Sequence, residues 1–418
     1  MEHGLKVLMM GGQRVGKSSA LAAVMDAFMK APINTLLKAK DSTELARNEK
    51  EKQESISHKL YDIKSSLSSN YGKTILVDSG KTSTIWNYKL ELSLPDSNKK
   101  MEILFTDVNG EFYEGGNMRQ DEICKLVEEY DVFIVAADTT YLMESINNEN
   151  KYVDEIVNEK YNYVDDIHSF LSSINSKNNS SAKLVIFTPI KCEKWAQENY
   201  LDKVIERTKQ VYKTPIAGLE AHSNIIIEFL PIQTVGSMIF KEHLPATLFT
   251  WTKTILLFFN KTITQKCSII NPDKVRLSNG MEMLKSAGSI SDDYSAVLVP
   301  DTDIIRPNSW FEVKSSEYAP HNCEQLALHI LDFMLRKMID AKIRKDRDQN
   351  IIGRGAKLVG NFLMDIATLG LWSEIKGYFG DIPLEKMERI ISTMKSNNII
   401  KYSGEGIEIY KDIDLLTN

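Results

Sequence analysis

A doubly wound, mostly parallel α/β sheet is the fold class this sequence predicts, and three observations predict it. Residues 11–20 read GGQRVGKSSA directly after the apolar run LKVLMM. Further short apolar runs follow at intervals filled by helical pattern. The polar motifs fall at the ends of those runs, where ligands of open α/β sheets sit.

The elements follow in order. Val7, Leu8, Met9 and Met10 make a short buried-strand run, and Leu21, Val24, Met25 and Phe28 recur at i, i+3, i+4 and i+7, as on one face of a helix. The polar stretch 40–69 has helix-forming composition, with Asp41 and Ser42 as its start signal. Residues 84–95 (TIWNYKLELSLP) alternate apolar and polar, PDSNKK turns, and 101–112 (MEILFTDVNGEF) return as the second strand of a hairpin. Strands are then expected in DVFIVAAD (131–138), AKLVIFTPIKCEKW (182–195) and NIIIEFLPIQTVG (224–236). These runs put a core over 1–236. Turn signals SNG, SAGSISDD and PDTD make 237–318 irregular, an inserted subdomain of helical or mixed structure. A periodic helix over 319–345, with Leu326, Ile330, Phe333 and Met334 on one face, closes the core. Residues 346–418 form a small C-terminal module of helical segments and a hairpin around SGEG.

Length and composition bound the function. The 418 residues are 43% hydrophobic, enough for a large core. A net charge of −6 and a pI near 5.8 argue against nucleic acid as main partner. The four cysteines (Cys124, Cys192, Cys267, Cys323) are far apart and the seven histidines lack ligand spacing, so reduced structural thiols and a cytoplasmic protein are expected. The start, MEHGLKVLMM, reads as a first strand rather than a signal peptide. The apolar stretch 244–259 is interrupted by polar residues and short for a bilayer, so a membrane is not expected as a partner.

The chemistry starts at residues 11–19. Gly11, Gly16, Lys17 and Ser18 satisfy GxxxxGK[ST]. In that pattern backbone N–H groups of the loop, here Gly11, Gly12, Gln13, Arg14, Val15, Gly16 and on into Ser19, cradle phosphates. Lys17 reaches the β and γ phosphates and the Ser18 hydroxyl takes Mg²⁺. DVNG supplies Asp107 at a strand end, a carboxylate for Mg²⁺, and Gly110, an N–H for the γ-phosphate. After the LVIF strand comes TPIKCEK. Guanine presents N1–H and N2–H side by side, and the Glu193 carboxylate can accept both while the Lys191 stem lies along the base.

P-loop, DxxG and KxE, in that order and on those elements, resemble the TRAFAC-class P-loop GTPases with their Ras-like core. GGQRVGKSS is also similar to the phosphate loop of dynamins. LPIQTVG and the YAPHNCEQLALHILDFML helix resemble bacterial double-GTPase-like proteins of stress and anti-phage defence gene neighbourhoods. The specificity element departs from NKxD, with Ile190 for Asn and Glu193 for Asp. The resemblance implies GTP/GDP and Mg²⁺ as ligands, Thr234, Val235 and Gly236 as the loop over the base, and Thr82 or Thr84 as the switch threonine on the metal. Glu111 stands where a water-positioning Gln is usual, and Arg14 is a candidate transition-state cation. A slow GTPase switch follows, read by a protein effector through loops 70–85 and 108–120, the insertion or the C-terminal module, with self-association as a further route. A scaffold that binds without hydrolysis, a P-loop ATPase and a dynamin-like remodeller stand as alternatives.

Overall fold

The computed structural model describes residues 4–12, 15–43, 55–76, 85–94, 100–108, 120–144, 161–175, 182–254, 262–269, 295–355, 383–397 and 399–401. The elements of the core are β1 (Leu5–Met10), α1 (Lys17–Phe28), α2 (Ile33–Leu36), β2 (Lys38–Asp41), α3 (Ile56–Asn70), β3 (Thr74–Leu76), β4 (Trp86–Ser93), β5 (Lys100–Asp107), α4 (Gln120–Glu129), β6 (Val132–Asp138), α5 (Thr139–Met143), α6 (Val164–Asn175), β7 (Lys183–Ile190), α7 (Glu193–Gln197), α8 (Leu201–Val211), α9 (Lys213–Glu220) and β8 (Ile225–Phe229). They are followed by β9 (Met238–Thr254), β10 (Thr262–Ile269), β11 (Ser295–Val313), α10 (Cys323–Gly355) and α11 (Leu384–Ser396).

The main sheet runs β2-β4-β5-β1-β6-β7-β8. β5, β1, β6, β7 and β8 are mutually parallel, whereas β4 is antiparallel to both β5 and β2. The sheet is therefore doubly wound and mostly parallel, as the alternation of apolar runs predicts, and residues 86–107 are the expected hairpin. The period of two explains its two covered faces. Val7 and Met9 enter one core cluster and Leu8 and Met10 the other; Ile134 and Phe133 divide in the same way. A strand that is apolar on both sides can be satisfied only between two helical layers.

α1 departs from the two-faced pattern. Its Leu21, Val24, Met25 and Phe28 are buried, but so are Ala20, Ala22 and Ala23, because α10 and α3 cover the side turned from the sheet. Phe28 meets Phe105 of β5 edge to face at 6.1 Å, worth about 0.5–1.5 kcal/mol beyond area. On α10 the expected face of Leu326, Ile330, Phe333 and Met334 is buried, and the helix runs on to Gly355. α11 packs on it through Met387, Ile390, Ile391 and Met394.

Two expectations are corrected. Asp41 and Ser42 do not start a helix. Asp41 ends the edge strand β2, and its carboxylate accepts the Thr43 N–H at 3.0 Å, a turn that competes with helical capping. The helix begins instead behind Ser55, whose hydroxyl accepts the His58 N–H. In the insertion, the described residues form β-sheet, with strand order β10-β9-β11-β3 and no helix. Pro245 and Pro307 sit where the β9–β11 register shifts between Ile305 and Asn308. Such irregularities tolerate proline in a strand. Its fourth strand, β3, comes from far upstream and pairs Thr74, Ile75 and Leu76 with Glu312, Phe311 and Trp310. The SGEG hairpin and the apolar stretch 356–372 lie outside the described residues.

Candidate functional site

Strand order reverses at β1, which has β5 on one side and β6 on the other. A crevice opens at the carboxyl end of such a strand, and the phosphate-loop motif leaves β1 there. Gly16 takes φ 107°, a left-handed conformation that favours glycine, and it offers α1 no side-chain cap. The first-turn N–H groups of α1 therefore face the loop without a side-chain acceptor from the cap, the arrangement that attracts an anion.

Three predicted residues meet in this crevice. Lys17 is buried, and its ammonium donates to the Gly11 carbonyl at 2.9 Å and the Gly12 carbonyl at 2.8 Å. The Ser18 hydroxyl donates to Asp107 Oδ2 at 2.5 Å. Register pairs Asp107, the last residue of β5, with Met9 of β1, and this brings the carboxylate to the loop. Asp107 is 1% exposed, and its Oδ1 has no hydrogen-bond partner among the described residues. Burial raises its carboxyl, while the Lys17 charge and the Ser18 bond pull it down. A hard cation would answer both the orphaned oxygen and the burial. A serine hydroxyl with one carboxylate suits Mg²⁺, which takes its remaining ligands from water and phosphate. No group of three or more His, Cys, Asp or Glu able to hold a metal occurs among the described residues.

The residues expected to meet the base lie at the end of β7. Lys191 follows Ile190 with φ 61°, and its ammonium pairs with Asp138 Oδ2 at 2.6 Å. A Cβ on Gly16 would lie 3.5 Å from Lys191 Cε, so the lysine stem passes beside the phosphate loop. Glu193 opens α7 at 3% exposure. Its Oε1 accepts the Val235 N–H at 3.0 Å and the Gly236 N–H at 3.1 Å. Burial raises its carboxyl, and the Val235 N–H bond is the largest effect opposing that. Gly236 turns at φ 82°, where a Cβ would strike the Ala319 carbonyl at 1.7 Å. The Thr234 hydroxyl is buried with no partner among the described residues, and so is that of Ser237.

Gly11, Gly12, Val15, Gly16, Lys17, Ser18 and Ser19 thus line the loop and first turn, with Asp107 beside them, and Lys191, Glu193, Thr234 and Val235 gather at its flank. Gln13, Arg14, Thr82, Thr84, Gly110 and Glu111 lie outside the described residues. Sequence reasoning missed Asp138 and Asn162. Asp138 is fully buried, and its N–H donates to Asn162 Oδ1 at 2.7 Å. The only available signal was an acid ending an otherwise apolar strand, VFIVAAD, the same signal that picked out Asp107.

This β1, P-loop motif and α1 are set in a mostly parallel sheet with helices on both faces and a β4–β5 hairpin, a doubly wound α/β fold. No family model matches the chain, and no curated protein does. Among solved structures it is similar to the S. cerevisiae Ski7 GTPase-like domain. The crystal structure of that domain bound to GDP and inorganic phosphate shares 11% identity over 75% of each chain, with a TM-score of 0.32. The one bound to GTP shares 11% identity over 75% of each chain, with a TM-score of 0.31. No described helix is long and apolar enough to cross a membrane.

Proposed function

We propose that the chain binds a guanine nucleotide with Mg²⁺ and hydrolyses GTP slowly, as a switch read by a protein partner. The observation that carries this reading is the meeting of buried Lys17 and Asp107 with half-buried Ser18 at the strand-order reversal, behind a helix N-terminus without a side-chain cap. Ser18 and Asp107 would hold the Mg²⁺, and the metal would supply charge neutralisation to the phosphates. Lys17, bound to two loop carbonyls, exchanges them for phosphate oxygens without moving far. At the base, Glu193 keeps one carboxylate oxygen for the Val235 and Gly236 N–H groups and presents the other edge to guanine donors.

Glu111 and Arg14 are the proposed water-orienting group and cation, and Thr82 or Thr84 the proposed switch ligand. A carboxylate beside a triphosphate adds charge of the wrong sign, which favours a slow turnover. GTPases lacking an arginine in cis turn over at about 10⁻⁴ to 10⁻³ per second, and those with one at about 10⁻². The second sheet supports a switch, because it adjoins the 235–236 loop and lies near the proposed switch threonines in sequence. β9 starts two residues after Gly236, and β11 pairs with β3, six residues before Thr82 at its near end. Calorimetry with GTP, GDP and ATP, with and without Mg²⁺, tests the ligand, and single-turnover hydrolysis tests the rate. Equal GTP and ATP affinity rejects guanine. A rate above about one per second rejects the slow switch, and no hydrolysis at all leaves a nucleotide-binding scaffold.

A further inference from the structure

Two opposite charges sit two residues apart at the base side, and they are not paired with each other. The Lys191 ammonium reaches away from Glu193 to Asp138 Oδ2 at 2.6 Å. Glu193 takes backbone N–H groups of the 235–236 loop instead. Left alone, a lysine near a buried carboxylate pairs with it, because a desolvated charge gains most from the closest counter-charge. Lys191 lies near enough to Glu193 to stabilise its charged form. What holds the lysine elsewhere is a rigid anchor. Asp138 is fully buried, its Oδ1 accepts the Thr140 N–H at 3.1 Å and the Thr140 hydroxyl at 2.7 Å, and its backbone N–H is bonded to Asn162. With one oxygen committed to the turn it caps, Asp138 has the other for Lys191. The anchor also reaches the second sheet, since the Thr140 carbonyl meets His243 Nε2 at 3.0 Å, and His243 Nδ1 meets the Ser309 hydroxyl at 3.2 Å.

We infer that Asp138 is a positioning residue for base selectivity: it holds the Lys191 ammonium off Glu193, so that the Glu193 carboxylate stays available to the nucleobase and the lysine offers only its apolar stem. This rests on the guanine reading proposed above. Without Asp138 the lysine turns to Glu193 and occupies the acceptor that distinguishes guanine from adenine, although neither residue has changed.

The test is the GTP-to-ATP affinity ratio, by calorimetry in Mg²⁺, for the parent chain, Asp138→Asn and the double variant Asp138→Asn with Lys191→Met, whose side chain keeps a long apolar stem without charge. The parent ratio is expected at about tenfold or more. Asp138→Asn should bring it below about threefold, and the double variant should restore it. A purely structural role for Asp138 would weaken both nucleotides together and would not be rescued by Met at 191. Should Asp138→Asn fail to fold, Asp138→Ser, which can still cap Thr140, gives the same reading. A parent with no preference overturns the guanine reading and the inference with it. A parent preference that persists in the folded Asp138 variant overturns the inference alone, as does a loss that the double variant does not repair.

Discussion

The two ends of the candidate site, the proposed phosphate end and the proposed base end, are built by different means. At the phosphate end, Lys17 bonds carbonyls five and six residues before it, and among the described residues only Asp107 arrives from elsewhere in the chain. At the base end, Glu193 is joined to a loop 42 and 43 residues on, and Lys191 to a carboxylate 53 residues back. The phosphate end is therefore close to a local device, whose side chains can be removed one at a time without releasing backbone from backbone. The base end is a tertiary device. Its side chains double as fasteners for the loops that carry them, so a change there should alter ligand choice and fold stability together.

The largest effect should come from Lys17→Ala. A charge-assisted hydrogen bond contributes about 1.5–3 kcal/mol, so triphosphate affinity should fall by about 10- to 100-fold. The melting temperature should change little, since the two loop carbonyls that Lys17 bonds can be served by water. Parent-like binding of Mg²⁺-GTP would show that the loop is not the phosphate site.

Glu193→Ala should do less to affinity and more to the fold. It should erase a guanine preference of about tenfold. It also strips the acceptor from the Val235 and Gly236 N–H groups, at about 1–3 kcal/mol for each that stays buried and unserved. Thermal melts should therefore separate it from Lys17→Ala by several degrees. Equal melting temperatures for the two variants would show that the bonds from Glu193 to the 235–236 loop do not hold the fold.

Ser18→Ala should cost about tenfold in affinity for Mg²⁺-GTP and leave metal-free nucleotide binding near the parent value. Calorimetry in EDTA checks this, and an equal loss with and without Mg²⁺ would remove Ser18 from the metal.

The smallest effect is a pH slope. Burial raises the Asp107 carboxyl. An acid whose folded value lies above its unfolded value contributes stability that is complete below the unfolded value and is lost as pH rises through the folded one. The ligand-free chain should thus gain stability as pH falls from neutral into the carboxylate range, and Asp107→Asn should flatten part of that gain. Mg²⁺-nucleotide affinity should run the other way, because a protonated Asp107 ligates poorly. Melting curves across that window decide it, and an unchanged slope in the variant would assign the gain to other carboxyls, Glu193 among them.

Much of the fold was legible before any coordinates. Strands at 5–10, 132–138, 183–190 and 225–229 are apolar runs of strand length, and a run that must be buried on both faces has few places to go but the centre of a parallel sheet. The hairpin at 86–107 announced itself by alternation and a polar turn. Less legible were features in which one residue type serves two structures. Asp41 can cap a helix or a turn, and pairing of Lys38–Asp41 with β4 decided for the turn. The turn signals SNG, SAGSISDD and PDTD suggested irregular chain over 237–318, whereas β9 and β11 pair there and absorb Pro245 and Pro307 at a shift in register.

The sequence by itself determined the phosphate end: a strand, a glycine-bearing loop, a lysine, a serine and a helix that follow one another along the chain, with an acid at the end of a later strand to face them. Only the tertiary structure decided the base end. It placed Asp138 against Lys191, fastened Glu193 to the 235–236 loop, and drew Thr74–Leu76 into a sheet whose other strands lie more than 160 residues downstream. The physical reason is range. Backbone geometry and side-chain period act over a few residues and can be read in order, whereas a buried charge takes its partner from whatever the packed sheet brings within about 3 Å, and no local pattern records which residue that is.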